Sequence, residues 1–165
     1  MSEILLKLLK KHDEPARDTT LKFIKNTISN PDKYGVDVLL KNCKYLQNIE
    51  VQTLTYKTFI DNFKILTVFK RKDRYNLNTV YITYNYNYTK CFVFCRSQLD
   101  TKKMIKSKIK YSVRNEDKMF YLHKNEILYI ENINKDTFNL KVIKDFFKKT
   151  IKDYLSKCND SKDTN

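Results

Sequence analysis

The stretch from Asn78 to Arg96 constrains the fold more than any other part of the chain. Val80, Ile82, Tyr84 and Tyr86 alternate with Thr79, Tyr81, Thr83 and Asn85, which is the two-residue period of a β-strand. After a turn near Asn87 the run Lys90 to Arg96 alternates again. Phe92 and Phe94 point one way and Cys91, Val93 and Cys95 the other, so the pattern predicts a hairpin.

Helical spacing flanks this hairpin on both sides. Tyr56, Phe59, Phe63 and Leu66 recur at i, i+3, i+7 and i+10, predicting a helix that starts after Thr53 or Thr55 and ends in Lys70, Arg71, Lys72 and Arg74. Ile105, Ile109 and Val113 predict a second helix, from Ser97 or Asp100 to about Arg114. Leu140, Ile143, Phe147, Ile151 and Tyr154 predict a third, over about 138–156.

The remaining elements are shorter. Val36 to Leu40 is strand-like, with a further short strand near Ile49 to Val51. Met119 to Leu122 and Ile127 to Ile130 read as two strands joined by the polar turn His123-Lys124-Asn125-Glu126. Before Pro31, residues 3–12 and about 16–29 read as two helices separated at Pro15. The expected division is a helical arm at 1–30, an α+β domain at 31–157 and a polar tail at 158–165. Without the arm and the last helix, the order is strand, helix, strand, strand, helix, strand, that of a ferredoxin-like βαββαβ core. One face of its sheet is left for the last helix, or a partner, to cover.

The chain carries 33 Lys and Arg against 19 Asp and Glu, a net charge of +14, which makes an acidic partner the first class to consider. Lysine supplies most of that charge, and the sequence is also heavy in Asn, Ile and Tyr, with one Gly and no Trp. All of these abundant residues have A/T-rich codons, so a biased genome gives the same composition without selection for binding. Clustering favours a partner. Arg96, Lys102, Lys103, Lys106, Lys108, Lys110 and Arg114 face a single acid, Asp100, and a second group contains Lys70, Arg71, Lys72 and Arg74. On two helices of one layer these eleven residues would neutralise phosphates and hold RNA or DNA in a salt-dependent way, and RNA is the expected partner. The bland alternative is a pair of solvated helix faces.

A second binding feature is aromatic. Tyr81, Tyr84, Tyr86, Tyr88, Phe92 and Phe94 lie on the hairpin, and Lys90-x-Phe92-x-Phe94 echoes the base-stacking strand of RRM domains. Core packing is the competing and favoured role for the phenylalanines. Catalytic patterns are scarce: His123 and Glu126 share a turn, and with one glycine in the chain a phosphate-cradling loop is not expected. The expectation is a protein that is not an enzyme and that takes no cofactor, metal or small-molecule substrate. Cys43, Cys91, Cys95 and Cys158 have neither disulfide-framework nor zinc spacing and read as reduced thiols. No apolar run is long enough for a membrane span and the start lacks a signal-peptide pattern, which together point to a nuclear or cytoplasmic protein.

From Tyr34 to about Ile130 the chain resembles the small non-catalytic protein subunits of eukaryotic ribonuclease P and ribonuclease MRP. The resemblance is carried by strand Val36 to Asn42, the helix over 55–70, Thr79-Val80-Tyr81-Ile82-Thr83-Tyr84, and Phe92-Val93-Phe94-Cys95-Arg96-Ser97 leading into a helix. It implies an RNA-binding subunit of a ribonucleoprotein in tRNA or rRNA processing, working beside other protein subunits. Two other likenesses stand next to it. Phe92 to Arg114, with Lys103-Met104, is similar to actin-depolymerising domains. Thr79 to Thr83 with the β-β-helix that follows is similar to the Alu-binding protein of the signal recognition particle.

Overall fold

The computed structural model describes residues 3–54, 65–69, 74–100, 105–107 and 117–162. The chain is α+β. A helix α1 (Glu3–Phe23) is followed by β1 (Thr27–Ser29), β2 (Val38–Leu40), β3 (Asn48–Thr53) and β4 (Ile65–Phe69). Then come the hairpin β5 (Thr79–Tyr84) and β6 (Cys91–Cys95), a single turn of helix α2 (Ser97–Asp100), and β7 (Ile105–Ser107). The described chain ends with β8 (Asp117–His123), β9 (Leu128–Ile130) and the long helix α3 (Leu140–Asp160).

Six strands form one mixed sheet in the order β1-β2-β3-β5-β6-β9. Among the described strands only the β3–β5 pair is parallel, Ile49 standing beside Val80 and Val51 beside Ile82. The expected hairpin is present, with Ile82 opposite Val93, and its turn is closed by Asn85, whose side-chain oxygen accepts from the backbone N–H groups of Thr89 and Lys90. All residues of β5 and β6 are buried. Their two faces feed two separate cores. Val80, Ile82, Tyr84, Cys91, Val93 and Cys95 pack under α1 and α3 with Ala16, Ile143 and Phe147. Tyr81, Phe92 and Phe94 pack under Val68, Phe120 and Leu122 of a second, antiparallel sheet, β4-β8-β7. Helices, large sheet and small sheet therefore form three layers. That second face is not a base-stacking platform: Phe92 is fully buried and Tyr81 stacks on Phe94 at a centroid distance of 4.6 Å.

Several expected elements differ. The large sheet has six strands where a ferredoxin-like core has four. Residues 65–69, placed by the aromatic spacing at the end of a helix, are strand β4, paired with β8 as Val68 to Phe120. Ile65, Thr67 and Val68 are β-branched and suit the pleat. Residues 105–107 are strand β7 instead of mid-helix. Ile105, Ile109 and Val113 are four apart, and four is both about one helical turn and two full pleats, so their spacing could not separate the alternatives. Residues 55–64, 70–73, 101–104 and 108–116, with the rest of both expected helices and the Lys103-Met104 pair, lie outside the described residues.

At the start, two helices separated at Pro15 are replaced by one helix that passes through it. An interior proline costs about 3 kcal/mol; burial of Ala16, Thr20 and Ile24 against the large sheet offsets it. Asn26, at φ 62°, then turns the chain out of the helix into β1, where a helical Ile28 had been expected. The strands before and after the 123–126 turn both form, but β8 belongs to the small sheet and β9 to the large one, so they are not a hairpin. Among the described residues no helix is long and apolar enough to cross a membrane.

Candidate nucleic-acid interface

Helix α3 begins where Asn139 caps it, its side-chain oxygen accepting the Val142 N–H at 3.1 Å. The expected apolar stripe is the buried face. Ile143 and Phe147 are enclosed, with Leu140 and Ile151 packed at their margin. Lys144, Lys148 and Lys152 each follow one residue after a stripe position, so they form a second row along the border of the buried face. Over residues 140–162 there are seven lysines and three aspartates.

The turn between β2 and β3 faces this row. Both of its ends are anchored, since Leu40 N–H donates to the Gln47 carbonyl at 2.9 Å and Lys41 N–H donates to the Asn26 carbonyl at 2.7 Å. Asn42 takes the left-handed conformation, at φ 57°, that a short polar side chain tolerates. Leu46 is buried, whereas the preceding Tyr45 is 67% exposed. Lys44 places its Nζ 5.6 Å from the Tyr45 ring centroid.

Turn and helix enclose two depressions of about 240 and 330 Å³ that share Tyr45, Phe147 and Lys148. Ile151 and Leu155 supply apolar floor to the second, and Lys44, Lys144, Lys148 and Lys152 supply the charge. No carboxylate lines either depression. On the helix, Asp145 is bound to Lys141 at 2.6 Å, and this contact, with the weaker pull of the Lys148 and Lys144 charges, holds its carboxyl below the usual range. Among the described residues, Lys144, Lys148 and Lys152 form no ion pair. An exposed ring beside a row of ammonium groups suits a phosphodiester with bases.

A larger cavity of about 400 Å³ lies between α2, the 124–126 turn and α3. Its Lys149 and Lys157 are balanced by Glu126 and Asp153, which makes it a poorer phosphate site. His123 uses its backbone N–H, not its ring, to reach the Glu126 carboxylate at 2.8 Å.

A polar cluster also sits at the start of β2, beside β3. Asp37, beside β2, accepts the Val51 N–H at 2.9 Å, and burial followed by the adjacent Glu50 pushes its carboxyl up to about 7. Tyr75 reaches towards Glu50 of the same cluster, and its hydroxyl pKa is raised by burial.

Of the eleven basic residues singled out in the sequence, Arg74, Arg96 and Lys106 are described. Arg74 covers the Tyr75 ring and donates to its hydroxyl. Arg96 is tied to Asp100 at 2.5 Å, one turn away. Lys106 stands on β7 opposite Lys118 of β8, so two lysines are cross-strand neighbours. Lys70, Arg71, Lys72, Lys102, Lys103, Lys108, Lys110 and Arg114 lie outside the described residues. The α3 row was missed because its lysines are interrupted by Asp145 and Asp153 and do not form a dense run. The legible signal was their constant offset of one residue from the apolar stripe. The cysteines read as expected: all four are free, and burial pushes the Cys95 thiol up to about 12. No protein family, curated protein or solved structure matches this chain.

Proposed function

We propose that this chain is a non-catalytic RNA-binding protein that acts within a ribonucleoprotein and holds RNA in the groove between Tyr45 and α3. The observation that carries the reading is the groove itself: four lysines and an exposed tyrosine line it, and no carboxylate does. Codon bias can enrich lysine, but it does not select which side of a helix the lysines occupy or keep acids out of a depression. Charge steering by the whole molecule, at +14, adds to local attraction. Arg96, Lys102, Lys103, Lys106, Lys108, Lys110 and Arg114, with Lys70, Arg71, Lys72 and Arg74, form a second proposed contact set for phosphates further along the RNA. Other protein subunits and a nuclear or cytoplasmic site of action belong to the same reading.

The ribonuclease P/MRP likeness and the ferredoxin-like core both drew on a helix over 55–70, and the strand at 65–69 removes part of that support. The groove supports RNA binding independently of either.

The test is RNA binding by the full chain, measured by filter retention and anisotropy, against two charge-reversed proteins. K144E/K148E/K152E is expected to lose at least tenfold in affinity, and K102E/K103E/K106E to lose less, with both proteins melting like the parent. Equal RNA affinity in parent and K144E/K148E/K152E removes the groove from the interface. Co-sedimentation with actin filaments that RNA does not compete away would move the protein to the cytoskeletal class.

A further inference from the structure

The groove has a repeat that specifies the form of its ligand. Lys144, Lys148 and Lys152 are spaced at four-residue intervals on one continuous helix. At the usual rise per residue their backbone origins step by about 6 Å, close to the separation of neighbouring phosphates along one extended nucleic-acid strand. Their row runs beside the depression that holds the Tyr45 ring, with Ile151 and Leu155, the latter 55% exposed, forming the apolar floor opposite. In a duplex the bases face inward and are stacked on one another, so neither Tyr45 nor that floor would have a partner. An unpaired base satisfies both.

We infer that the groove is a single-strand site of about three to four nucleotides, in which consecutive phosphates meet Lys144, Lys148 and Lys152 while one base stacks on Tyr45. This rests on the RNA-binding reading above and narrows it to unpaired RNA. Lys44, over the same ring, completes the stack from the side of the turn.

Labelled oligouridylates of two to eight nucleotides, a blunt RNA duplex and a polyglutamate peptide of matched charge would be titrated with the full chain at several salt concentrations. Affinity should rise steeply up to about four nucleotides and slowly beyond, with the duplex bound more weakly than the single strand. Tyr45→Ala should weaken single-strand binding by about ten- to hundredfold and Tyr45→Phe by little, since the stack needs the ring and not the hydroxyl. Both substitutions are at an exposed position and should leave the melting curve unchanged. K144Q/K148Q/K152Q should reduce the slope of log affinity against log salt by about 2, the value for three phosphates on a single strand. Duplex bound as tightly as single strand, with Tyr45→Ala silent, overturns the single-strand site and leaves RNA binding standing. Polyglutamate bound in preference to every RNA overturns both.

Discussion

The contact that docks α1 on the large sheet makes a quantitative prediction. Thr20 and Tyr84 are both fully buried, and their hydroxyl oxygens are 2.6 Å apart. Thr20 donates its single proton to the Ala16 carbonyl at 2.9 Å, so the Tyr84 hydroxyl is the donor to Thr20 Oγ1. The two substitutions that break this bond are therefore unequal. Tyr84→Phe removes the donor and leaves Thr20 with Ala16 as its partner; the cost is that of one ordinary bond, about 1 kcal/mol. Thr20→Val keeps the shape but strands the Tyr84 hydroxyl in the core, costing about 1–3 kcal/mol. In the double variant no polar group is stranded, so it should be no less stable than Thr20→Val alone. Urea unfolding of the four proteins closes the cycle, with a coupling energy of about 1 kcal/mol or more expected; each kcal/mol moves the melting temperature of a chain this size by about 2–4 °C. Costs that add to within about 0.5 kcal/mol would refute the bond itself, and a Tyr84→Phe cost above that of Thr20→Val would refute its assigned direction.

Asp37 makes the chain's stability depend on pH. Its folded carboxyl is raised above 3.8, so between that value and about 7 the folded chain holds a proton that the unfolded chain has released, and stability falls as pH rises, by up to about 1.4 kcal/mol per pH unit. Asp37→Asn should flatten that decline in unfolding titrations at pH 4.5, 5.5 and 6.5, and parallel slopes for the two proteins would contradict the buried-carboxyl account. Asn139→Ala removes the α3 cap and should cost about 1 kcal/mol in thermal unfolding. A thiol reagent at pH 8 should modify the partly exposed Cys43 and Cys158 and spare the buried Cys91 and Cys95 until urea is added, as read by mass spectrometry of the labelled peptides.

The parts of the fold that were legible in the sequence are those where one period excludes the other. The β5–β6 hairpin alternates over residues long enough that no helical face fits, and the α3 stripe from Leu140 to Tyr154 cannot be drawn on a pleat. Ile105, by contrast, starts a four-residue spacing that both geometries accept, and Pro15 is a local stop signal that packing of Ala16 and Thr20 overrules. The small sheet was illegible because β4 and β8 are brought together from residues fifty or more positions apart, a pairing with no local trace. The α+β class followed from the hairpin and α3 alone. The candidate groove was not legible: the densest basic runs lie elsewhere in the sequence, and the groove joins a turn at 41–47 to a helix a hundred residues later, a proximity with no local trace.

The complete enclosure of β5 and β6 has a consequence for biosynthesis. Both covers over the hairpin include segments that leave the ribosome after it: β8 on one side, and α3 with Ile143 and Phe147 on the other, while β9 later pairs with the edge of β6. At ordinary elongation rates the interval from Cys95 to Phe147 is roughly 3–10 s. Throughout that time a nascent ribbon bearing Val, Ile, Tyr and Phe on either surface waits for its covers, which makes this the window in which a ribosome-associated chaperone has something to hold.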